Sequence, residues 1–298
     1  MNELTIIPYT EKFRDLLKKR DPAIASEIEN NGDIIASTVI LAVRGLSSKK
    51  PVISGAGYLI RGLGSYESSA YEGKRFLHAS FTGFGKDEVF ASDMLLDRLI
   101  SIYREKYTDH TLRLWCRARN AVYLDFLIAK GFCVENTMLV MECDLTDHPE
   151  LRERPDFSAT EFTTDLPMDE YLLSNGEAFG IPDSRNDMLY RLKYLDARVF
   201  AVCTNGSITA AVTTWPLSED RFSSLHATEN IFCMPSKRRQ GITSSLLYHV
   251  LYTLRSRGVT RVSLNVYGNN RAAIDLYLRS GYEVTDTLLE LHLHEGGI

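Results

Sequence analysis

Residues 236–247, SKRRQGITSSLL, place three cations and a glycine directly before a run of small and apolar residues. The apolar residues that follow recur with helical spacing, so the glycine falls at the start of a predicted helix. The first turn of a helix has free N–H groups and the positive end of the macrodipole, which makes it a site for an anion. Gly241 allows close approach to the backbone, and Arg238 and Arg239 add charged donors. Taken alone, the stretch also fits a solvated basic loop that caps a surface helix.

Two well-known phosphate-binding motifs do not fit this stretch. No Gly-Lys-Ser/Thr follows Gly241, which excludes a nucleotide P-loop, and the three-glycine dinucleotide fingerprint is missing.

The formal net charge of −5 over 298 residues argues against nucleic acid as a partner. No apolar run approaches the about 20 residues of a membrane span. We therefore expect neither nucleic acid nor a membrane as the partner.

The elements around this stretch alternate between strands and helices. Apolar spacing predicts helices over 168–179 and 184–195, then a hairpin through TNGS (204–207), in which Asn-Gly is the turn signal. A strand over 222–233, a helix from Ile242 to Gly258, a strand over 261–266 and a short helix over 270–281 follow. Two more strands are predicted near YEV and TLLELHL. The interleaving predicts a mixed α/β layer structure.

The chain contains a diverged copy of this arrangement. LWCRARNAVYLDFLIAKGF (114–132) aligns without a gap with LNVYGNNRAAIDLYLRSGY (264–282), at an offset of 150 residues. Upstream, LHAS (77–80) corresponds to LHAT (225–228) at an offset of 148. Duplication predicts two similar domains, and a polar, proline-containing stretch over 146–157 predicts the boundary. We therefore expect one domain over 1–148 and a second over 155–298.

The second copy resembles the GNAT superfamily of N-acetyltransferases. That family's pattern is Pro-x-x-Arg/Gln-x-x-Gly-x-Gly/Ala, a helix, a strand ending Leu-x-Val, and then Asn-x-x-Ala-x-x-Leu-Tyr-x-x-x-Gly-Phe. Over about 230–284 this chain supplies Pro235, Arg238, Gly241, Thr243, Leu264, Val266, Asn270, Ala273, Leu276, Tyr277, Gly281 and Tyr282. Thr243 departs from the usual small residue, and Tyr282 replaces Phe. The resemblance implies an α/β (mixed α+β) fold of two tandem GNAT-like domains, each a mostly antiparallel twisted sheet flanked by helices.

The resemblance also implies acetyl-CoA as the acetyl donor, with no metal. The pyrophosphate is expected on residues 238–244, and the pantetheine arm beside the strand end at 231–233. Asn270 either binds the donor or caps its helix, since it is an N-cap type of residue. The expected donor-binding residues are Ile231, Phe232, Cys233, Arg238, Arg239, Gln240, Gly241, Ile242, Thr243, Ser244 and Asn270.

Acetyl transfer to an amine requires a neutral amine, a donor for the developing oxyanion and a proton for the leaving thiolate. Tyr277 is the expected general acid, because the family places this tyrosine beside the sulfur; packing on an amphipathic helix is its alternative role. The oxyanion donor is expected to be the backbone N–H near Cys233. A nucleophilic role for Cys233 is not expected, because no His/Asp arrangement is legible around it.

Glu229 is the candidate general base. Strand alternation predicts that residues 229, 231 and 233 share a face, which would turn the carboxylate toward the donor. A structural ion pair is its alternative role. His226 is a second candidate base, but His78 occupies the matching place in the first copy, which favours a structural role for both histidines.

The first copy is expected to have lost acetyl-CoA. Its corresponding loop, TGFGKDEVFASDMLL (82–96), offers Asp87, Glu88 and Phe90 in place of arginines and glycine, and carboxylates repel a pyrophosphate. Leu127 stands at the position of Tyr277. This half is then expected to pack against the active half and shape the acceptor cleft. Acceptor selection is assigned to the helical region 171–195, with Phe179, Asp183, Arg185, Asp187 and Tyr190.

Five cysteines without a CxxC pair indicate free thiols, and the N-terminus lacks a signal-peptide pattern, so a cytoplasmic location is expected. The sequence predicts direct acetyl transfer to a primary amine of a small molecule by a monomer or homodimer. Transfer to a protein N-terminus or lysine, and a regulatory protein that binds acyl-CoA without turnover, are the alternatives.

Overall fold

The two halves of the chain repeat one order of strands and helices in the computed structural model, which describes residues 3–62, 75–146, 148, 157–180, 182–217 and 224–293. The first half contains β1 (Leu4–Pro8), α1 (Arg14–Arg20), α2 (Pro22–Asn30), β2 (Ile40–Arg44), β3 (Val52–Arg61), β4 (Phe76–Gly83), α3 (Glu88–Lys106), β5 (Thr111–Arg117), α4 (Ala121–Ala129) and β6 (Phe132–Asp144). The second half contains β7 (Thr160–Phe162), α5 (Met168–Phe179), α6 (Arg185–Tyr194), β8 (Arg198–Thr204), β9 (Ser207–Pro216), β10 (Leu225–Cys233), α7 (Ile242–Ser256), β11 (Arg261–Tyr267), α8 (Arg271–Arg279) and β12 (Glu283–Leu293).

The described strands form one sheet of twelve, in the order β1-β2-β3-β4-β5-β12-β6-β11-β10-β9-β8-β7. The halves therefore exchange their last strands: β12 pairs with β5 of the first half, and β6 pairs with β11 of the second. The two long strands also pair with each other in the middle of the sheet, and all three pairings are antiparallel. The sequence did not predict this exchange, and the expected boundary over 146–157 lies mostly outside the described residues.

Local structure in the second half follows its sequence signals. The hairpin between β8 and β9 turns at Asn205 and Gly206, with φ of 54° and 84°, the left-handed pair that a type I′ turn requires. Helix α7 is followed by Gly258 with φ of 87°. The prediction of two terminal strands was wrong. One strand, β12, runs through both segments, with a register shift between Val284 and Asp286.

Helices cover both faces of the second half's sheet. Helices α5 and α6 pack with Val199 and Ala201 on one face, and α7 and α8 pack with Phe200 on the other, because side chains alternate along β8. The apolar stripe of α7 is almost completely buried, and the burial of each such side chain contributes roughly 1.5–3 kcal/mol to the stability of the fold. Its members are Leu246, Leu247, Val250, Leu251 and Leu254. This packing fixes the N-terminus of α7 against the end of β10.

Candidate active site

The site begins where strands β10 and β11 part. They pair in parallel only over Leu225–Ala227 and Arg261–Ser263, whereas β10 continues along β9 to Cys233. A wedge-shaped cleft therefore opens between the two parallel strands. Along this cleft the backbone of β10 has no sheet partner on one side among the described residues, so it can pair with an extended ligand.

A bulge in β10 sets the direction of the side chains at the cleft. The register with β9 shifts between Glu229 and Phe232, and Asn230 has a φ of 48°. Phe232 packs with the α5 and α6 cluster, whereas Ile231 and Cys233 pack with the α7 and α8 cluster. The prediction that residues 229, 231 and 233 share a face was therefore wrong. The extra residue breaks the alternation, and Glu229 points to the α6 side.

The loop after β10 leads into the N-terminus of α7 through a left-handed glycine. A short 3₁₀ turn, Pro235–Lys237, precedes Arg239, which has a φ of 62°. Gly241 has a φ of 78°, and no atom of the described residues lies within 4 Å of the place a Cβ would take. The first turn of α7 thus presents backbone N–H groups to an open space, with cationic side chains beside them.

A cavity of about 670 Å³ fills the wedge and extends to this helix terminus. It brings together eight of the predicted residues: Ile231, Phe232, Cys233, Arg238, Arg239, Thr243, Asn270 and Tyr277. Gln240, Gly241, Ile242 and Ser244 belong to the adjoining loop and first turn and are not among its lining residues. The volume is in the range of cofactor and drug-sized pockets.

Two of the predicted donor-binding residues also stabilise the chain itself. Arg238 donates from Nε to the Cys233 carbonyl at 3.2 Å and from Nη2 to the Ala178 carbonyl at 2.7 Å, so it ties the loop to α5. Asn270 caps α8, since its Oδ1 accepts from the Ala273 N–H at 3.2 Å. Asn120 caps α4 in the same way, as the repeat predicts.

Tyr277 lies on α8 at the inner end of the cavity. Its side chain is buried among apolar neighbours, and its ring centroid is 5.8 Å from that of Tyr282. Burial raises the pKa of the phenol far above its usual value, so the phenol stays protonated at any working pH. It is therefore a hydrogen-bond donor facing the cleft.

Glu229 and Tyr277 border one small cavity of about 50 Å³. Glu229 reaches it from the α6 side of the sheet and Tyr277 from the α8 side. This cavity shares Phe179, Ile231 and Tyr267 with the larger one. Burial raises the pKa of the Glu229 carboxyl, and the repulsion of Asp187 adds to this effect, while the charge of Arg191 opposes it.

Several lining residues were not singled out by sequence reasoning as donor-site residues. They are Ala178, Tyr267, Asn269, Ala272 and Leu276. Tyr267 carries a usable signal, because it ends the strand that borders the wedge and precedes a glycine. Ala178 carries none, because only the packing of α5 onto the sheet brings it to the cavity.

Three of the residues assigned to acceptor selection are in fact buried. Asp183, Asp187 and Tyr190 are 5%, 7% and 9% exposed. Asp183 accepts from the Asn230 amide, and Asp187 pairs with Arg191. Phe179 does line both cavities, whereas Arg185 is exposed and pairs with Asp169.

Residues 162–282 match the family described as the Acetyltransferase (GNAT) family. The chain is 32% identical over 121 residues to the ribosomal protein bS18-alanine N-acetyltransferase of Escherichia coli K12. The aligned segment covers 40% of this chain and 76% of that relative. The chain belongs to the GNAT family of acetyltransferases. Enzymes of the GNAT family generally take the acetyl group from acetyl-CoA. Membership therefore makes the protein an acyltransferase.

Solved structures extend the GNAT likeness to the whole fold. A tandem GNAT protein from the clavulanic acid biosynthesis pathway superposes with a TM-score of 0.66 at 14% identity, covering 97% of this chain and 98% of that one. A GCN5-related N-acetyltransferase from Sphaerobacter thermophilus superposes with a TM-score of 0.60 at 16% identity, covering 97% of this chain and 95% of that one. These likenesses confirm the predicted fold class of two tandem GNAT-like units.

The described residues hold no group of three or more His, Cys, Asp or Glu side chains placed to bind a metal ion. None of the described helices has the length and apolar character needed to cross a membrane. All five cysteines are free, and three of them are buried.

Proposed function

We propose that the second half of the chain, residues 155–298, transfers an acetyl group from acetyl-CoA directly to a primary amine of a small molecule. One observation carries the proposal. A carboxylate, Glu229, and a protonated phenol, Tyr277, meet at one small cavity from opposite faces of the sheet. That cavity adjoins a cleft that ends at a helix N-terminus suited to a pyrophosphate.

The donor fits the cleft by charge and by shape. Residues 238–244 surround the pyrophosphate with N–H groups, hydroxyls and the Arg239 guanidinium, and Gly241 leaves the backbone open. The unpaired side of β10 near 231–233 runs alongside the pantetheine arm. This arrangement brings the thioester to the inner end of the cleft, beside Tyr277.

The chain supplies each proton transfer at a named group. Glu229 takes a proton from the amine, directly or through water, and its raised pKa brings it closer to neutral pH, where a base works best. Backbone N–H near Cys233 stabilises the developing oxyanion. Tyr277 protonates the leaving thiolate.

We also propose that the first half, residues 1–148, binds no acetyl-CoA. Asp87 takes the place of a bound anion at the start of α3: Arg44 donates to both of its oxygens, at 2.7 and 2.6 Å, and Ser54 donates at 3.1 Å. Gly83, at the end of β4, has no room for a Cβ, because the Glu88 carbonyl lies against it. The loop is thus closed by the chain's own side chains.

Transfer to a protein is the second candidate, because the bacterial relative is named for an alanine of ribosomal protein bS18. The small cavity and the partial burial of Glu229, whose side chain is 23% exposed, favour a slender acceptor. Both a small amine and the first residue of a flexible peptide satisfy this limit. We favour the small amine, because Phe179 of α5 and Arg191 of α6 enclose the Glu229 side.

The experiment combines donor binding with a screen of acceptors. Calorimetry with CoA should give one site per chain, and thiol release should be stimulated by small amines over peptides with a free N-terminus. Glu229→Gln should bind CoA normally and lose roughly 100-fold or more in turnover at neutral pH. Stimulation by peptides alone would replace the small-molecule acceptor with a protein, and two CoA sites would refute the silent first half.

A further inference from the structure

Helix α6 is anchored to the first half of the chain at its N-terminus. Ser184, its N-cap, donates from Oγ to a carboxylate oxygen of Asp33, and Asn186 donates to the other at 3.4 Å. Asp33 is 7% exposed, and its own carbonyl accepts from Arg61 N–H at 3.0 Å, at the end of β3. The first half's sheet thus fixes where α6 begins.

The opposite end of α6 holds Glu229. Arg191 places Nη1 3.3 Å from the Glu229 carboxylate and Nε 2.5 Å from that of Asp187. Its guanidinium also stacks on Trp215, 4.6 Å from the ring centroid. The side chain is only 12% exposed. Arg191 is therefore held in one orientation by three contacts, and Glu229 is the one that borders the reaction cavity.

We propose that Arg191 is the positioning residue for Glu229, and that Asp33 of the first half holds α6 where this contact requires it. The inference rests on the proposed role of Glu229 as the base. It gives the first half a task in the reaction, although that half binds no donor. The link runs from Asp33 through the Ser184 cap and along α6 to the guanidinium.

The charges around Glu229 make the link measurable. Arg191 lowers the pKa of the carboxyl, while burial and the charge of Asp187 raise it. Repulsion from Asp33 raises the pKa of Asp187 in turn, and the charge of Asp187 contributes to the raised pKa of Glu27 in the first half. The titratable or charged groups that face this region are Asp183, Asp187 and Arg191 beside or on α6, His226 on β10, Tyr267 on β11, Tyr277 on α8, and Asp33 and Glu27 in the first half.

The test is the acidic limb of the pH–rate profile for amine-dependent thiol release by the full chain. A base must be deprotonated, so the rate rises with pH through the pKa of Glu229. Arg191→Gln removes the cation and should move this limb upward by about one pH unit or more. Arg191→Lys keeps the charge and should restore part of the shift. CoA affinity should stay within about twofold in both variants.

Asp33 separates positioning from simple charge. Asp33→Ala removes the acceptor for Ser184, so α6 loosens, Arg191 moves away and the limb should shift upward. Loss of the Asp33 charge alone lowers the pKa of Asp187, and the ionised Asp187 repels the Glu229 carboxylate, so this effect also moves the limb upward. Asp33→Asn loses the same charge but keeps an acceptor oxygen for Ser184, so its limb should rise by less than that of Asp33→Ala. An Asp33→Ala limb that does not rise above the Asp33→Asn limb would overturn the role of the first half.

The outcomes also distinguish this inference from the proposed function. If Glu229→Gln keeps the wild-type rate and profile, the base assignment fails and the inference fails with it. If Glu229→Gln abolishes the acidic limb but the Arg191→Gln variant has its limb at the same pH as the parent enzyme, only the positioning role is refuted. Should Arg191→Gln not fold, Arg191→Lys and Asp33→Ala carry the same test, because both variants keep a cation beside the buried Asp187.

Discussion

The Glu290 carboxylate lies 3.2 Å from the Arg113 guanidinium, although the two residues are 177 positions apart in the chain. Arg113 belongs to β5 of the first half and Glu290 to β12, so the pair joins the exchanged strand β12 to the first half. The two side chains are 4% and 0% exposed. Glu290 also accepts from Tyr267 at 3.2 Å and pairs with His292 at 2.7 Å. A buried, hydrogen-bonded charge network therefore lies at the join between the halves.

Glu290→Gln should destabilise the whole chain, because it leaves the Arg113 charge buried without its counter-ion. The expected loss in the free energy of unfolding is about 3–5 kcal/mol, measured by urea denaturation. Asp109→Asn is the matched control, since its pair with Arg75 is 62% and 72% exposed and should contribute less than about 1 kcal/mol. Equal losses in the two variants would contradict a structural role for the buried network.

Tyr277→Phe should lower kcat by about 100-fold while the Kd for CoA changes by less than about twofold. The ring still packs on Tyr282, and only the proton donor is lost. Because burial raises the pKa of this phenol, the parent enzyme should show no alkaline loss of activity from it below about pH 10. Tyr252→Phe, on α7 outside the cavity lining, is the control. An unchanged kcat in Tyr277→Phe would remove the general acid.

Arg239→Glu should weaken CoA binding by more than about tenfold, because it places a like charge against the pyrophosphate. This residue is a cleaner probe than Arg238, whose guanidinium also binds the Cys233 and Ala178 carbonyls. Lys237→Glu changes the charge of the same loop by the same amount, but Lys237 does not line the cavity, so calorimetry should show a smaller effect. Equal losses would mean that only the net charge of the loop matters.

Asp183→Asn should stabilise the protein at neutral pH. Burial raises the pKa of Asp183 to about 6, so the native state binds more protons than the unfolded state between about pH 4 and 6. Stability therefore falls as pH rises through this window, and the amide removes that loss, which is on the order of 2 kcal/mol. In this variant the side-chain amide of Asn230 can rotate by about 180°, so that its oxygen accepts a hydrogen bond from the new amide at position 183.

Urea denaturation at pH 4 and pH 7 measures this effect. Asp169→Asn serves as the control, since its side chain is 93% exposed and should leave the pH dependence unchanged. A variant at Asp183 with the slope of the parent between pH 4 and 6 would show that another group titrates there.

Local signals predicted most of the second half. The equivalence of 114–132 and 264–282 is confirmed by helices α4 and α8, each capped by an asparagine and each followed by a left-handed glycine, Gly131 and Gly281. These features depend on residues close in sequence, so the sequence alone can reveal them. The loop that we propose for the pyrophosphate can be read in the same way, because a cationic run, a glycine and a helix are contiguous in the sequence.

Long-range choices were not predictable in the same way. Strands β6 and β12 hold equivalent places in the two halves, so either could pair with β5 or β11 on local grounds, and the buried pair of Arg113 and Glu290 favours the exchanged arrangement. The bulge at Asn230 was missed because a non-glycine residue with positive φ leaves no mark in a strand pattern. The contact between Arg191 and Glu229 joins residues that no spacing rule connects.

The exchange of strands has a consequence during synthesis. Arg113 leaves the ribosome 177 residues before Glu290, a delay of roughly 10–35 s at ordinary elongation rates. For that time β5 has an open edge, and β6, which follows it closely in the chain, can pair there although it lies between β12 and β11 in the finished sheet. The nascent first half can therefore form a non-native pairing between β5 and β6. The mature sheet forms only after β12 has displaced β6 from this edge, unless a chaperone keeps the edge of β5 open until then.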